Sequence, residues 1–378
     1  MSTQARGALP ALVAMGVMAV ASLYLQPLLV GGMITDRGFT EQQAGFIAST
    51  ELAGMALSSF LALAWLTRLT WRTAALAGLA IMVLANVLTT FVHGLEAFAV
   101  IRFGSGLGGG TLLAIAMVGI GHSVQADRNY GVLLASQLFF GTVGLWVAPF
   151  LLARFGLNGP YGLLALLAVA GTIVAAAIPT ARERKSSAAG TIASGAWLAC
   201  GGVLLAILLF FVEQNAVWAF SERIGHAAGL KAEFIGFSLG LANLMGLVGA
   251  ALVAWLGTRF GRLVPLCLVT LLQIVALMVL VGNMGGTMFL AGMVLLAFAW
   301  NVVIPFQLGI LAGIDASGKA LALAATVTGI GLALGPGAGA MVLDGDRYSA
   351  VNLLAGMLAV ASLLLVLPAL ARIHRKAA

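Results

Sequence analysis

Apolar residues run on for about twenty positions at a time along this chain, stop at a short polar or basic stretch, and resume. Twelve such runs are legible, at roughly 9–33, 44–66, 73–92, 97–121, 131–153, 160–179, 196–218, 234–257, 263–282, 287–312, 320–343 and 348–371, numbered here as spans 1 to 12. At about 1.5 Å of rise per residue, each is long enough to cross a hydrocarbon layer of ~30 Å as a helix. The pattern predicts an all-α membrane protein of twelve transmembrane helices.

Composition agrees with that reading. Hydrophobic residues make up 62% and charged residues 8% of the 378 positions, and the mean hydropathy is +1.10. No water-soluble globule of this length carries such a composition on its surface. The N-terminal stretch "MSTQARGALPALVAMGVMAV" has the look of a signal peptide. Its apolar run continues to Met33, too long for a cleaved segment, and is read as span 1. Short loops rich in Lys and Arg stay cytoplasmic, which sets the orientation. With the N-terminus inside, cytoplasmic segments hold Arg6, Arg68, Arg72, Arg128, Arg182, Arg184, Lys185, Arg259, Arg262, Lys319, Arg372, Arg375 and Lys376. External loops hold only Arg37, Arg154, Arg223, Lys231 and Arg347, so both termini are expected in the cytoplasm, with the chain in a bacterial inner membrane. The net charge of +7 follows from this bias and from anionic membrane lipids as partners, and calls for no nucleic acid. Cys200 and Cys267 fall in spans 7 and 9 as packing residues, without disulfide or metal spacing.

The one long polar cytoplasmic stretch, "ARERKSSAAGTIASGA" at 181–196, reads as a linker between an N-terminal half, 1–180, and a C-terminal half, 197–378. An internal repeat supports the division. "WLTRLTWR", Trp65 to Arg72, closes span 2, and "WLGTRFGR", Trp255 to Arg262, closes span 8, so Thr67, Arg68 and Arg72 correspond to Thr258, Arg259 and Arg262. These loops resemble the motif between helices 2 and 3 of the major facilitator superfamily of secondary transporters, and the resemblance covers essentially the whole chain. Thr67 and Thr258 stand where that family usually has aspartate, and Thr70 where it has glycine. The resemblance implies two six-helix pseudo-symmetric bundles that work by alternating access around a central cavity. It also implies a gating role for Arg68, Arg72, Arg259 and Arg262. With the aspartates missing, Arg68 and Arg259 are expected to hold the cytoplasmic ends of the two halves together, when the cavity faces out, through helix C-terminal carbonyls.

A charge inside an apolar span costs at least ~2.5 kcal/mol, so Arg102, alone in "FAVIRFGSGLGGGTLLAIAMVGIG", invites a functional reading. Gly104, Gly106 and Gly109 fit G-x-G-x-x-G, but the nucleotide loop needs a strand before it and a soluble helix after it, and neither is present. Gly104 with Gly108, and Gly106 with Gly110, instead make two small-xxx-small pairs that allow close helix contact. "RFGSGLGG" resembles the superfamily's helix 4 motif, R-x-x-x-G, with Arg102 and Gly106 in the matching positions. In proton-coupled relatives such an arginine pairs with an acidic side chain and releases it. The acids clearly inside spans are Glu51 in span 2 and Glu213 in span 7, each ~8 to 11 Å below the expected external boundary and so level with Arg102. Glu213, which opens the polar cluster "EQNAVW", is the first choice of proton carrier and Glu51 the second. The alternative for Arg102 is snorkelling to the outer interface.

The resemblance makes spans 1, 4, 7 and 10 the cavity lining, and polar or aromatic residues fall on each: Tyr24 and Gln26 in span 1, Arg102 in span 4, Gln214, Asn215 and Trp218 in span 7, and Trp300 and Asn301 in span 10. They are candidate contacts for an amphipathic or aromatic solute. "GTVGLWVAP" at 141–149 partly resembles the family's antiporter motif, and "GLALGPGAG" at 331–339 has its G-x-x-x-G-P core in span 11, which leans the reading to export.

Among other function classes, a membrane enzyme would need reactive groups gathered at one depth. His93, His122, His226 and His374 are scattered over loops and tail, so no metal site or His-based triad is assembled. No cofactor is expected, nor a phosphate loop for ATP. The expectation is therefore a monomeric, proton-coupled secondary transporter that moves a small-molecule substrate against protons. The alternatives are a symporter taking up an organic anion held by Arg102, and an uncoupled facilitator or channel.

Overall fold

In the computed structural model the chain forms helices and no strands among the described residues, which are 3–180, 197–257, 259–282, 284–315, 317–343, 345 and 348–377; of 3–7, 63, 127 and 373–377 only the backbone is described. The expected linker, 181–196, lies outside them, as do Thr258, Arg347 and the side chains of Arg6, Arg375 and Lys376. The chain divides into two compact units, Met1–Ser186 and Ser187–Ala378.

In the first unit α1 (Thr3–Ala19) and α2 (Ala21–Arg37) run almost continuously through Val20 and make up span 1. Gly38, at φ +69°, ends α2 in the left-handed conformation that a side chain would resist. Next, α3 (Glu41–Phe60) opens on a capping box: the Gln43 amide N–H donates to the Thr40 hydroxyl at 3.2 Å and the Thr40 N–H to the Gln43 side chain at 3.0 Å. At Leu61 the helix breaks and the short α4 (Ala62–Trp65) follows. The unit continues with α5 (Trp71–Thr89), capped by Thr70, then α6 (Leu95–Gly121), α7 (Ala126–Phe155) and α8 (Asn158–Ala175).

The second unit comprises α9 (Trp197–Ala227), α10 (Ala232–Leu256), α11 (Leu263–Val279), α12 (Gly286–Ile314), α13 (Lys319–Met341) and α14 (Ser349–Ala377). Asp315 joins α12 to α13: it accepts from the Ser317 and Ala320 amide N–H groups, each at 2.9 Å, and so satisfies otherwise orphaned donors at the head of α13.

All twelve expected spans fall on helix, and ten segments among the described residues are long and apolar enough to cross a membrane. The other two differ for visible reasons. The helix α11 has only 17 residues, and α3 carries Glu41, Gln42, Gln43 and Glu51. One boundary moves substantially: α9 runs past the expected end near 218 to Ala227, because Ser221, Glu222 and Arg223 are accommodated within the helix. Glu213 consequently sits fourteen residues, or ~21 Å, from the end of its helix rather than the ~8 Å expected.

Inside each unit, glycine stripes let helices meet backbone to backbone. Where α3 crosses α6, a Cβ added at Gly106 would lie 1.9 Å from the Glu51 carbonyl oxygen, and one at Gly110 2.2 Å from that of Met55. In the second unit Gly331, Gly335 and Gly339 of α13 present a similar face to α9. Without a hydrophobic drive between helices in lipid, this closeness supplies the dispersion contact that holds them.

Candidate functional site

Close contact between α3 and α6 brings Glu51 under Arg102. The guanidinium is wholly buried, and all five of its N–H donors are engaged. Nε donates to Glu51 Oε2 at 3.2 Å and one terminal nitrogen to Glu51 Oε1, a two-pronged ion pair. That same nitrogen donates to Ser105 Oγ at 3.1 Å, one turn along α6. The other terminal nitrogen donates to Asn86 Oδ1 at 2.9 Å and Thr89 Oγ1 at 3.4 Å, both from α5. From α8, the Tyr161 ring lies with its centroid 4.5 Å from the guanidinium carbon, within cation–π range. Tyr161 and Phe39 each make an edge contact with Phe98, which screens this side of the site with aromatic surface. Arg102 thus turns inward among α3, α5, α6 and α8 rather than snorkelling outward.

The second unit holds Glu213 in different surroundings. It is buried in α9, and its Oε1 accepts from Gln214 at 2.9 Å and from Gln273 of α11. Its Oε2 has no hydrogen-bond partner, and no ion pair to it occurs among the described residues. Asn215 is fully buried with its Cβ 2.5 Å from where a Cβ on Gly335 would stand, and it donates to the Phe211 carbonyl at 3.3 Å. It therefore lies in the seam between α9 and α13. Asn301 likewise packs on Gly246 and Gly249 of α10 and donates to the Ala297 carbonyl at 2.9 Å. Trp300 meets Phe211 edge to face at 5.9 Å, and Trp218 is half-buried on α9. In the first unit Tyr24 is half-buried and Gln26 buried on α2.

The four basic residues of the repeated loops sit at helix ends. Arg72 donates to the carbonyls of Ile178, at 3.1 Å, and Ala176, which lie just past the end of α8. Carbonyls at a helix C-terminus carry partial negative charge and attract such a cation. Arg68 is exposed, and Thr67 donates to the Ala64 carbonyl at 3.1 Å. Arg259 lies 5.4 Å from the Trp255 ring centroid, and Arg262 lies over Gly309 of α12. Within the first unit it is thus Arg72 that binds helix-end carbonyls.

Sequence reasoning did not single out Asn86, Thr89, Ser105, Tyr161 or Gln273. A signal existed for all five: each is a hydrogen-bonding side chain inside an apolar span, where an unpartnered polar group costs several kcal/mol.

Apolar helices of membrane-crossing length, with a charged pair sealed among them, define a multi-pass integral membrane protein. Residues 11–314 match the model of the Major Facilitator Superfamily, and the chain belongs to that family of membrane transporters, which move small-molecule substrates and are not enzymes. No curated protein sequence matches it. Solved structures similar to it include a bacterial homolog of the human lysosomal transporter Spinster in an inward-facing, unoccupied conformation. That likeness has a TM-score of 0.71 and 13% identity over 99% of this chain and 97% of the other. A D-xylose–proton symporter gives a TM-score of 0.76 with 14% identity over 95% and 96%, and the nucleoside transporter NupG gives 0.74 with 12% over 96% and 99%. At these identities the likeness is one of fold.

Proposed function

We propose that this chain is a proton-coupled secondary transporter of a small organic solute, in a bacterial inner membrane with both termini cytoplasmic, working as a monomer by alternating access and exporting its substrate against protons. The observation that carries the coupling is the buried fork between Arg102 and Glu51. A buried ion pair adds little to stability compared with apolar residues of the same volume, yet losing one partner costs ~3–5 kcal/mol. A pair of that kind suits a switch better than a brace. A proton and the Arg102 guanidinium compete for one carboxylate, so any conformational change that separates α3 from Arg102 changes the proton affinity of Glu51. A proton gradient biases two states only if they bind the proton unequally.

This argument moves Glu51 ahead of Glu213 as carrier, with Glu213 as a second protonation site held by amide donors. It also disfavours uptake of an organic anion on Arg102, because every donor of that side chain is already engaged. Gln214, Trp218, Trp300, Tyr24 and Gln26 remain the proposed substrate contacts. Asn215 and Asn301 are better explained as packing between helices. Arg68, Arg72, Arg259 and Arg262 are the proposed gate.

A thermal-shift screen of purified protein against drugs, sugars, nucleosides and aromatic acids identifies a ligand, since binding stabilises the folded state. Proteoliposomes given only a pH gradient then test coupling. Glu51→Gln should abolish gradient-driven flux while retaining ligand binding. If Glu51→Gln and Glu213→Gln both still move the ligand against its own gradient, coupling through these carboxyls is wrong.

A further inference from the structure

The Arg102 site contains more acceptors than an ion pair needs. Two of the five guanidinium donors go to Glu51 and three go to neutral oxygens, and the Tyr161 face covers the cation. The neutral groups come from helices other than α3: Asn86 and Thr89 from α5, Ser105 from α6 itself and Tyr161 from α8. We infer that these four groups form a neutral cradle that keeps the Arg102 cation seated while Glu51 gains or loses its proton, and that Asn86 is its principal positioning residue.

The reasoning starts from what protonation would otherwise do. A cation buried in an apolar bundle and stripped of its carboxylate must find other acceptors or leave, and an orphaned buried charge destabilises the whole bundle. Here the acceptors are already in place. Asn86 Oδ1 stands at the shortest of the neutral distances, 2.9 Å, against 3.1 Å for Ser105 and 3.4 Å for Thr89. Asn86 is itself buried, at 1% exposure, so bulk solvent does not compete for its place beside the guanidinium. The titratable group facing the Arg102–Glu51 pair from another helix is Tyr161 of α8, with Arg37 at the end of α2 acting on Tyr161. From α5 only neutral groups face it. The consequence is a division of labour: the arginine stays with α5, α6 and α8, and the carboxyl on α3 is the part free to change partner.

The inference rests on the proposed coupling only in giving Glu51 proton traffic, and its test needs neither substrate nor transport. In purified full-length protein, thermal unfolding is compared for Glu51→Gln, Asn86→Leu and the double variant. Glu51→Gln, which imitates the protonated acid, should lower the melting temperature modestly because the cradle persists. Asn86→Leu alone should also act modestly because the ion pair persists. The double variant should lose more than the two shifts combined, since it leaves the cation without a carboxylate and without its nearest neutral acceptor, held only by Ser105, Thr89 and the Tyr161 face. Asn86→Asp in the Glu51→Gln background should restore the loss by supplying a carboxylate from the other side. The nitrogen NMR signals of the Arg102 guanidinium should stay in place in Glu51→Gln and move or broaden in the double variant. Additive shifts, or failure of Asn86→Asp to rescue, would overturn the cradle while leaving the transport experiment standing. A transport failure with a cooperative cycle would do the reverse.

Discussion

Gly106 offers the sharpest test of the packing that builds the site. A methyl group added there would stand 1.9 Å from the Glu51 carbonyl oxygen, where ordinary contact begins at 3.4 Å, so α3 and α6 would have to part by about 1.5 Å. The obstacle is backbone, which no rotamer change relieves, and Met55 N lies 3.0 Å away on the same face. Overpacking a core typically costs ~1–3 kcal/mol, and here the upper end is expected, ~3 kcal/mol. The parting also carries the Glu51 side chain away from Arg102. Gly104, two residues earlier in the same helix, supplies the control: nothing lies within 4 Å of its added Cβ. Gly104→Ala should therefore be neutral or gain the ~0.5–1 kcal/mol that alanine earns over glycine in a helix. Unfolding of the two variants in the same detergent should separate their melting temperatures by roughly 5–10 °C. Equal melting temperatures would refute the backbone-contact geometry at the crossing of α3 and α6.

Two further outcomes follow from helix ends. The Ala320 amide and then the Ser317 hydroxyl, with further help from the Ser317 and Lys319 amides, hold the Asp315 carboxyl below the usual carboxylate range. A lowered folded-state value means that its stabilising contribution is complete at neutral pH and fades as pH falls into and below that range. Asp315→Ala should lower the melting temperature at pH 7 and have less effect in acid; a difference that grows on acidification would contradict the capping role. Arg72→Ala removes two hydrogen bonds to the carbonyls that end α8 and should cost ~1 kcal/mol, with Arg72→Lys intermediate because it keeps the charge but loses the fork. An unchanged melting temperature for Arg72→Ala would remove that role.

Span number, helical class and family resemblance were legible in the sequence because each is set by local properties. A run of twenty apolar residues has one way to satisfy its backbone in lipid, and the repeated Trp–Arg loops stand in the open. Arg102 and Glu51 could be nominated from the energy of burying charge alone, which requires no knowledge of neighbours. Their pairing could not. Glu51 and Glu213 were equal candidates by estimated depth, and choosing between them required knowing that α3 lies against α6. The glycines show the same limit. Gly104, Gly106, Gly108 and Gly110 are indistinguishable as small-xxx-small pairs, yet Gly106 and Gly110 touch α3, Gly108 touches Gly78 of α5, and Gly104 touches nothing. The extension of α9 to Ala227 was hidden because a helix carries polar residues such as Ser221 and Glu222 wherever its neighbours shelter them. Sequence determined which residues could not afford to be alone in an apolar medium, while the tertiary structure decided their company, because contacts between segments distant along the chain depend on helix rotation and crossing, which local pattern does not encode.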